Sequence, residues 1–186
     1  DDTIGKSLIE EIKDYKEINY QMYFEGYLGN YFLILFFPRV WSYELFEMYM
    51  PSTLLNQDKE IKYTTDYEFY DGRKEYVHET AGGYFACRSG ILEKLKTIKK
   101  QGAVLVLRFI TDEYTTPLGV WVVREATRKA LIEGKEFASE EEMIKYVKNL
   151  ILTKFNFDIS SVLKKSKVLE QIHSQKTLFD FVQKYP

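Results

Sequence analysis

HETAGGYFACRSGILEKLKTIKKQGAVLVLRFITDEYTTPLGVWVVREATRKAL, residues 78–131, reads as helix, buried strand, loop and helix. From Tyr84 to Ile98 the apolar residues Tyr84, Cys87, Ile91, Leu95 and Ile98 recur at helical spacing, so they share one face. Glu93, Lys94, Lys96, Lys99 and Lys100 point elsewhere, and Gly102 is the expected C-terminal stop. Ala103 to Ile110 is a nearly unbroken apolar run of strand length, rich in Val and Leu, which suits a strand covered on both faces. Thr116-Pro117 then offers a capping hydroxyl and a proline at the first helical position, predicting a second helix.

The flanking chain adds hairpins and further helices. Thr3 caps a predicted helix whose Ile4, Leu8, Ile12 and Tyr15 share a face. Ile18 to Glu25 alternates like a half-buried strand, Gly29-Asn30 marks a two-residue turn, and Tyr31 to Phe37 follows as a buried strand ended by Pro38. Ser42 is read as opening a short helix carrying Leu45, Phe46 and Tyr49. Asn56 to Glu60 is a polar loop. From Ile61 the odd positions to Phe69 alternate with Lys62, Thr64, Asp66 and Glu68, and Asp71-Gly72 turns the chain into a strand over Arg73 to Val77. Ser139 and Glu142 form a capping box ahead of Met143, Val147, Leu150 and Ile151. A last helix carries Ile159, Val162, Leu163, Leu169 and Ile172. Hairpin-paired strands with helices between them predict an α+β fold: a largely antiparallel sheet with one buried central strand, packed by several helices.

At 186 residues the chain is long enough for one full core, expected over residues 1–172, with residues 173–186 as a C-terminal tail. A net charge of −2 argues against coating DNA through a basic surface, and the single cysteine fits a reducing cytoplasm. No apolar run has membrane-spanning length and no signal-peptide pattern is present, so no membrane partner is expected. His78, His173 and Cys87 are too few and too scattered for a structural zinc, and no cofactor is expected. Cys87, on an apolar helix face, is read as inert core. Glu60-x-Lys62 is shaped like half of a metal-dependent nuclease motif, without the upstream aspartate, and is read as a solvated strand edge.

Arg108 interrupts a buried run, and a guanidinium there needs a partner or an outlet to solvent. Trp121, Arg124 and Arg128 are three and four residues apart on one helical face. With His78, Glu79 and Arg88 they form a candidate anion or nucleic-acid site, and Gly82-Gly83 adds backbone N–H groups at a helix start. The structural alternative pairs Arg124 and Arg128 with Glu125 or Glu79 and makes Trp121 core. In the tail SQKTLFDFVQKYP (174–186), Gln175, Leu178, Phe181 and Val182 match the sliding-clamp (PCNA) binding box. One helical turn would put Leu178, Phe181 and Val182 on one side as an apolar plug, with Gln175 at its rim; Val182 replaces the usual second aromatic.

The runs ETAGGYFACRSGILEKL (79–95), AVLVLRFI (103–110) and PLGVWVVREATRKAL (117–131) resemble the C-terminal domain of the archaeal Nre family, and LGNYFLILFFPRVWSYELFEMYMP (28–51) resembles another block of it. The resemblance implies a role in DNA repair and binding of the sliding clamp through the C-terminal peptide, with DNA as a further partner; it supplies no catalytic activity. It also implies an additional N-terminal region, often with metal-binding cysteines, and the start at Asp1 in place of Met points the same way. The expected function is therefore a clamp-recruited archaeal DNA repair factor. The rival is a nucleic-acid-processing enzyme, a nuclease or nucleotide-handling activity, built on His78, Glu79, Arg88, Arg124 and Glu125.

Overall fold

Strands that are apolar on both sides need cover on both sides, and this chain supplies it with two helical layers. The computed structural model describes residues 2–73, 75–116 and 118–175. Its helices are α1 (Asp2–Ile12), α2 (Ala81–Ile98), α3 (Val120–Ala130), α4 (Glu140–Phe155), α5 (Ser160–Leu163) and α6 (Lys167–Ser174). Its strands are β1 (Lys16–Glu17), β2 (Gln21–Tyr27), β3 (Asn30–Phe37), β4 (Ser42–Tyr49), β5 (Lys62–Glu68), β6 (Lys100–Gln101), β7 (Ala103–Ile110) and β8 (Gly134–Glu136). Six strands form the main sheet in the order β5-β4-β7-β3-β2-β8, antiparallel throughout except for the parallel pair β4–β7. This is the predicted α+β fold. The short strands β1 and β6 pair in parallel beside it.

One core lies under α1, α2 and α3, where Phe32, Ile34, Phe36, Tyr43, Leu45, Val104 and Val106 meet Ile9, Tyr84, Ile91, Leu95 and Val122. The other lies under α4 to α6, where Leu33, Leu35, Phe37, Phe46, Leu105, Leu107 and Phe109 meet Met143, Val147, Ile151, Val168 and Ile172. All eight residues of β7 are buried, which explains its unbroken apolar run.

Several expectations change. Ser42 to Tyr49 is a strand, not a helix, and is buried along nearly its whole length. A strand covered on both faces loses the alternation that separates it from a helix, so its apolar residues fit either period. The hairpin β2–β3 turns at Leu28-Gly29, one residue earlier than expected, with φ of 49° and 75°. Both central residues at positive φ match the twist of the flanking strands. β5 pairs with β4, so the second hairpin is β4–β5, and no strand forms among the described residues of 73–77. Ile4 is exposed, and α1 buries Ile9 beside the expected Ile12. α2 ends on Lys99, which is left-handed at φ 51°, ahead of Gly102. α3 starts at Val120 after Gly119; Pro117 lies outside the described residues. The last helix is two, α5 and α6, divided at Ser166, whose hydroxyl caps α6 by accepting from the Leu169 N–H. Ser139 caps α4 as expected, accepting from the Glu142 N–H, while the Glu142 carboxylate accepts from Ala138.

Candidate functional site

Parallel strands end on the same side of a sheet, and ligand crevices form beyond their carboxyl ends. Here β4 and β7 end together, and α2 and α3 both begin at that edge. Between them lies a cleft of about 310 Å³, lined by Glu47, Tyr49, Leu55, Glu79, Gly82, Gly83, Arg108, Ile110, Tyr114, Val120 and Val123 among others. Its outer wall is the β4–β5 loop. Asn56 holds that loop by donating to the carbonyls of Tyr49 and Glu60, which leaves Leu54 and Leu55 exposed at the tip.

The floor is ionic. Glu47 and Arg108 are register partners on β4 and β7, and Arg108 Nη1 donates to Glu47 Oε1 at 2.6 Å. The other edge of the guanidinium grips Asn30 Oδ1 from Nε at 3.0 Å and Nη2 at 2.6 Å. Asn30 in turn donates to the Leu28 carbonyl, tying the β2–β3 turn to the site. The demand that Arg108 placed on the sequence is met by a buried carboxylate and an amide. Tyr49 Oη donates to Glu47 Oε2 at 3.3 Å. Burial and the neighbouring Glu47 charge push the Tyr49 hydroxyl above its usual pKa. A side chain at Gly83 would run into the Glu47 carboxylate, and one at Gly82 into Val120. Glycine lets the start of α2 lie directly on β4 and α3.

Two more buried carboxylates tie β5 to α2. Asp66 accepts from the N–H groups of Glu79 and Thr80 and from the Thr80 hydroxyl, so it fixes the start of α2, and Arg73 pairs with it at 3.3 Å. Glu68 accepts from Trp41 Nε1, Tyr84 Oη and Arg88 Nη1 at 3.1, 3.0 and 2.8 Å. Burial, and then the adjacent Glu68 charge, hold the Tyr84 hydroxyl far above its usual range. On the opposite face of β4, Glu44 accepts from Ser166 Oγ and from the N–H groups of Lys167 and Val168 at the start of α6. Burial raises its pKa against those hydrogen bonds.

The residues singled out in the sequence are distributed over this frame. Glu79, Gly82, Gly83 and Arg108 line the cleft. His78 is exposed on the segment leading into α2. Arg88 is fully buried against Glu68 with its guanidinium over the Phe85 ring, and Gly5 of α1 packs onto it. Trp121 is exposed on the first turn of α3 and is not core. Arg128 grips Glu93 from Nε and Nη2, both at 3.0 Å, and Glu125 at 2.8 Å, joining α3 to α2; Arg124 is partly exposed on the same helix. Cys87 is buried, which pushes its thiol up to about 11. Glu60 is exposed, and Lys62 pairs with Asp58. Leu178, Phe181 and Val182 lie outside the described residues; Gln175 ends α6 and is exposed. Among the described residues no three of His, Cys, Asp and Glu come together to hold a metal ion, and no helix is long and apolar enough to cross a membrane.

Sequence reasoning missed Glu47, Tyr49, Asn30 and Tyr114. The available signal was the pair Glu44 and Glu47, three apart. On a helix they would share a face; on a strand they point to opposite faces, and a buried strand must find a partner for each.

No solved structure matches the chain. The family model for archaeal Nre, C-terminal, matches residues 68–181, and that for archaeal Nre, N-terminal, matches residues 1–56. The block at 28–51 therefore belongs with the N-terminal model. "DNA repair protein NreA" of Haloferax volcanii is 38% identical over 138 residues, covering 73% of this chain and 33% of the relative. "DNA repair protein NreB" of Archaeoglobus fulgidus is 34% identical over 185 residues, covering 98% of this chain and 46% of the relative. "DNA repair protein NreA" of the same organism is 35% identical over 129 residues, 69% of this chain and 32% of the relative. The chain thus spans less than half the length of the curated relatives it matches. With both family models matched in order along it, this chain belongs to the archaeal Nre family.

Proposed function

We propose that this chain acts in DNA repair and is brought to DNA by a sliding clamp (PCNA) bound through its C-terminal box, Gln175, Leu178, Phe181 and Val182. The names of the relatives support the repair role. The observation that carries the clamp reading is where the box begins. Val168, Leu169 and Ile172 anchor α6 in the core, and Gln175, the first residue of the box, is where that packed helix ends. A three-pronged apolar plug of Leu178, Phe181 and Val182 then meets a pocket, with Gln175 bonding at its rim. The enzyme reading draws on Arg88 and Glu125, yet Arg88 is sealed onto Glu68 and Glu125 is paired with Arg128; burial withdraws Arg88 from the anion-site reading as well.

Calorimetry of the intact chain and of a version ending at Ser174 against the clamp tests this. One box of this size gives roughly micromolar affinity. The shortened chain should lose it, and Phe181→Ala should do most of the same damage. Equal binding by both chains would remove the box from the interaction.

A further inference from the structure

We propose that the cleft at the carboxyl ends of β4 and β7 binds a single nucleobase, edge first, with the Glu47 carboxylate reading the N–H donors on that edge. Three observations carry this. The cavity of about 310 Å³ sits at the small end of the range for small-molecule sites. Its walls are apolar and aromatic: Leu55 and Val120 stand exposed at its sides, with Tyr49, Ile110, Tyr114 and Val123 behind them. Its floor is a carboxylate held in place by Arg108, which is itself fixed by Asn30.

Apolar and aromatic walls over a polar floor suit a flat ligand with apolar faces and a polar edge. The sign of the floor decides which edge. Glu47, Glu79 and Arg108 line the cleft, and Arg108 already spends its charge on Glu47, so Glu79 leaves the lining net negative and the base must lead with any phosphate left outside. A carboxylate accepts at about four lone-pair positions, and Arg108 and Tyr49 use two of them. Guanine offers its ring N–H and amino group side by side on one edge. Adenine and cytosine offer an amino group alone, and thymine a single ring N–H between two carbonyls that the carboxylate repels. Free nucleotides and bases turned out of a DNA strand present the same edge, and flipped bases are read in this way. The assignment does not rest on the clamp reading, since every residue in it precedes Arg124.

The full chain is titrated by calorimetry with each of the four deoxynucleosides. It is then titrated with a short duplex carrying a G·T mismatch and with its fully paired twin. Deoxyguanosine should bind about tenfold more tightly than thymidine, the discrimination of one bidentate contact. Leu55→Ala and Val120→Ala should each weaken binding about fivefold, the effect of losing a methylene or two of contact. Both positions are half-exposed, so the variants fold, and circular dichroism checks that they do. Preference for the mismatched duplex, lost in Leu55→Ala, identifies a base turned out of DNA; binding of nucleosides alone identifies a free nucleotide. Saturable binding of neither kind, binding indifferent to both substitutions, or thymidine bound as tightly as deoxyguanosine would overturn the proposal.

Discussion

The two faces of β4 each bury a carboxylate, and the two are satisfied by different means. Glu47, toward α2, pairs with the Arg108 guanidinium and lies against Gly83. Glu44, toward α6, has no salt-bridge partner among the described residues and rests on a serine hydroxyl and two backbone N–H groups. The same division extends across the sheet. The α1–α3 side carries Glu47, Asp66 and Glu68 with Arg108, Arg73 and Arg88, whereas on the α4–α6 side Glu44 is met by Ser166 and backbone N–H groups. An ion pair is expensive to break because it strands a charge; a helix-start cap is cheaper, because water can replace it as the helix end frays. The cleft therefore sits on the side that tolerates change least. A site built there has a rigid floor, and its specificity is adjustable only at its exposed walls.

The largest effect should follow from breaking the Glu68–Arg88 pair, where both side chains are fully buried. Arg88→Met leaves the carboxylate with Trp41 and Tyr84 as its partners among the described residues and should cost about 3–5 kcal/mol in chemical denaturation. Adding Glu68→Gln should recover a good part of that, because the stranded charge goes. A double variant no better than the single would place the loss in packing around Gly5 and Phe85 rather than in charge.

Next in size is Gly83→Ala. A methyl there collides with the Glu47 carboxylate and must move it off Arg108 or lift the start of α2 from the sheet. A loss of about 1–3 kcal/mol is expected. The collision is local, so strand β5 and the Glu68 network should keep their amide-exchange protection. Protection lost evenly over the whole α1–α3 side would show that the networks act as one unit.

How far the sequence foretold this division depends on the residue. Arg108 was legible because an ion in an apolar run announces a missing partner. Its partner Glu47 was not, since β4 was read as a helix; a strand buried on both faces carries no alternation, and Leu45, Phe46 and Tyr49 fit helical spacing equally well. In β5 the alternation itself misled. Tyr63, Thr65 and Tyr67 looked like the buried side, yet Asp66 and Glu68 are the more buried because arginines and a helix start await them. Helix caps at Ser139 and Ser166 depend on neighbours along the chain, but only Ser139 was read, because a continuous apolar pattern hid the break at Ser166. The cleft joins residues from Asn30 to Val123 through long-range pairing that no local pattern encodes.

On the opposite face, Ser166→Ala should cost about 1 kcal/mol, the usual loss of a helix cap. Glu44 there sets a pH dependence. Burial raises its pKa in the folded chain, so the folded state holds the proton to higher pH than the unfolded state does. Its contribution to stability is therefore fully present below the unfolded carboxylate range and declines as pH rises through the folded value. Glu44→Gln removes that titration, so the stability of the natural chain minus that of the variant should fall as pH rises through mild acid. Urea unfolding of both from pH 4 upward, on the order of one unit per step, checks this. A difference that grows with pH would mean that the three donors from α6 outweigh burial.

The smallest effect should come from Arg128, and it isolates what burial contributes. Like Arg88 it is a helical arginine paired with glutamate, and it bonds to both Glu93 and Glu125. By its bonds alone it would look no less important than Arg88. Its side chain is 45% exposed, however, so water and salt already screen the charges and can solvate Glu93 and Glu125 when the guanidinium is gone. Arg128→Ala should cost no more than about 1 kcal/mol, with the cost shrinking in high salt. Arg88→Met should keep most of its cost in the same salt, since no ions reach Glu68. Denaturation of both variants in low and high salt makes the comparison. An Arg128 loss as large as that of Arg88, and equally indifferent to salt, would mean that the α2–α3 clamp is a structural pair in its own right and not a solvated surface contact.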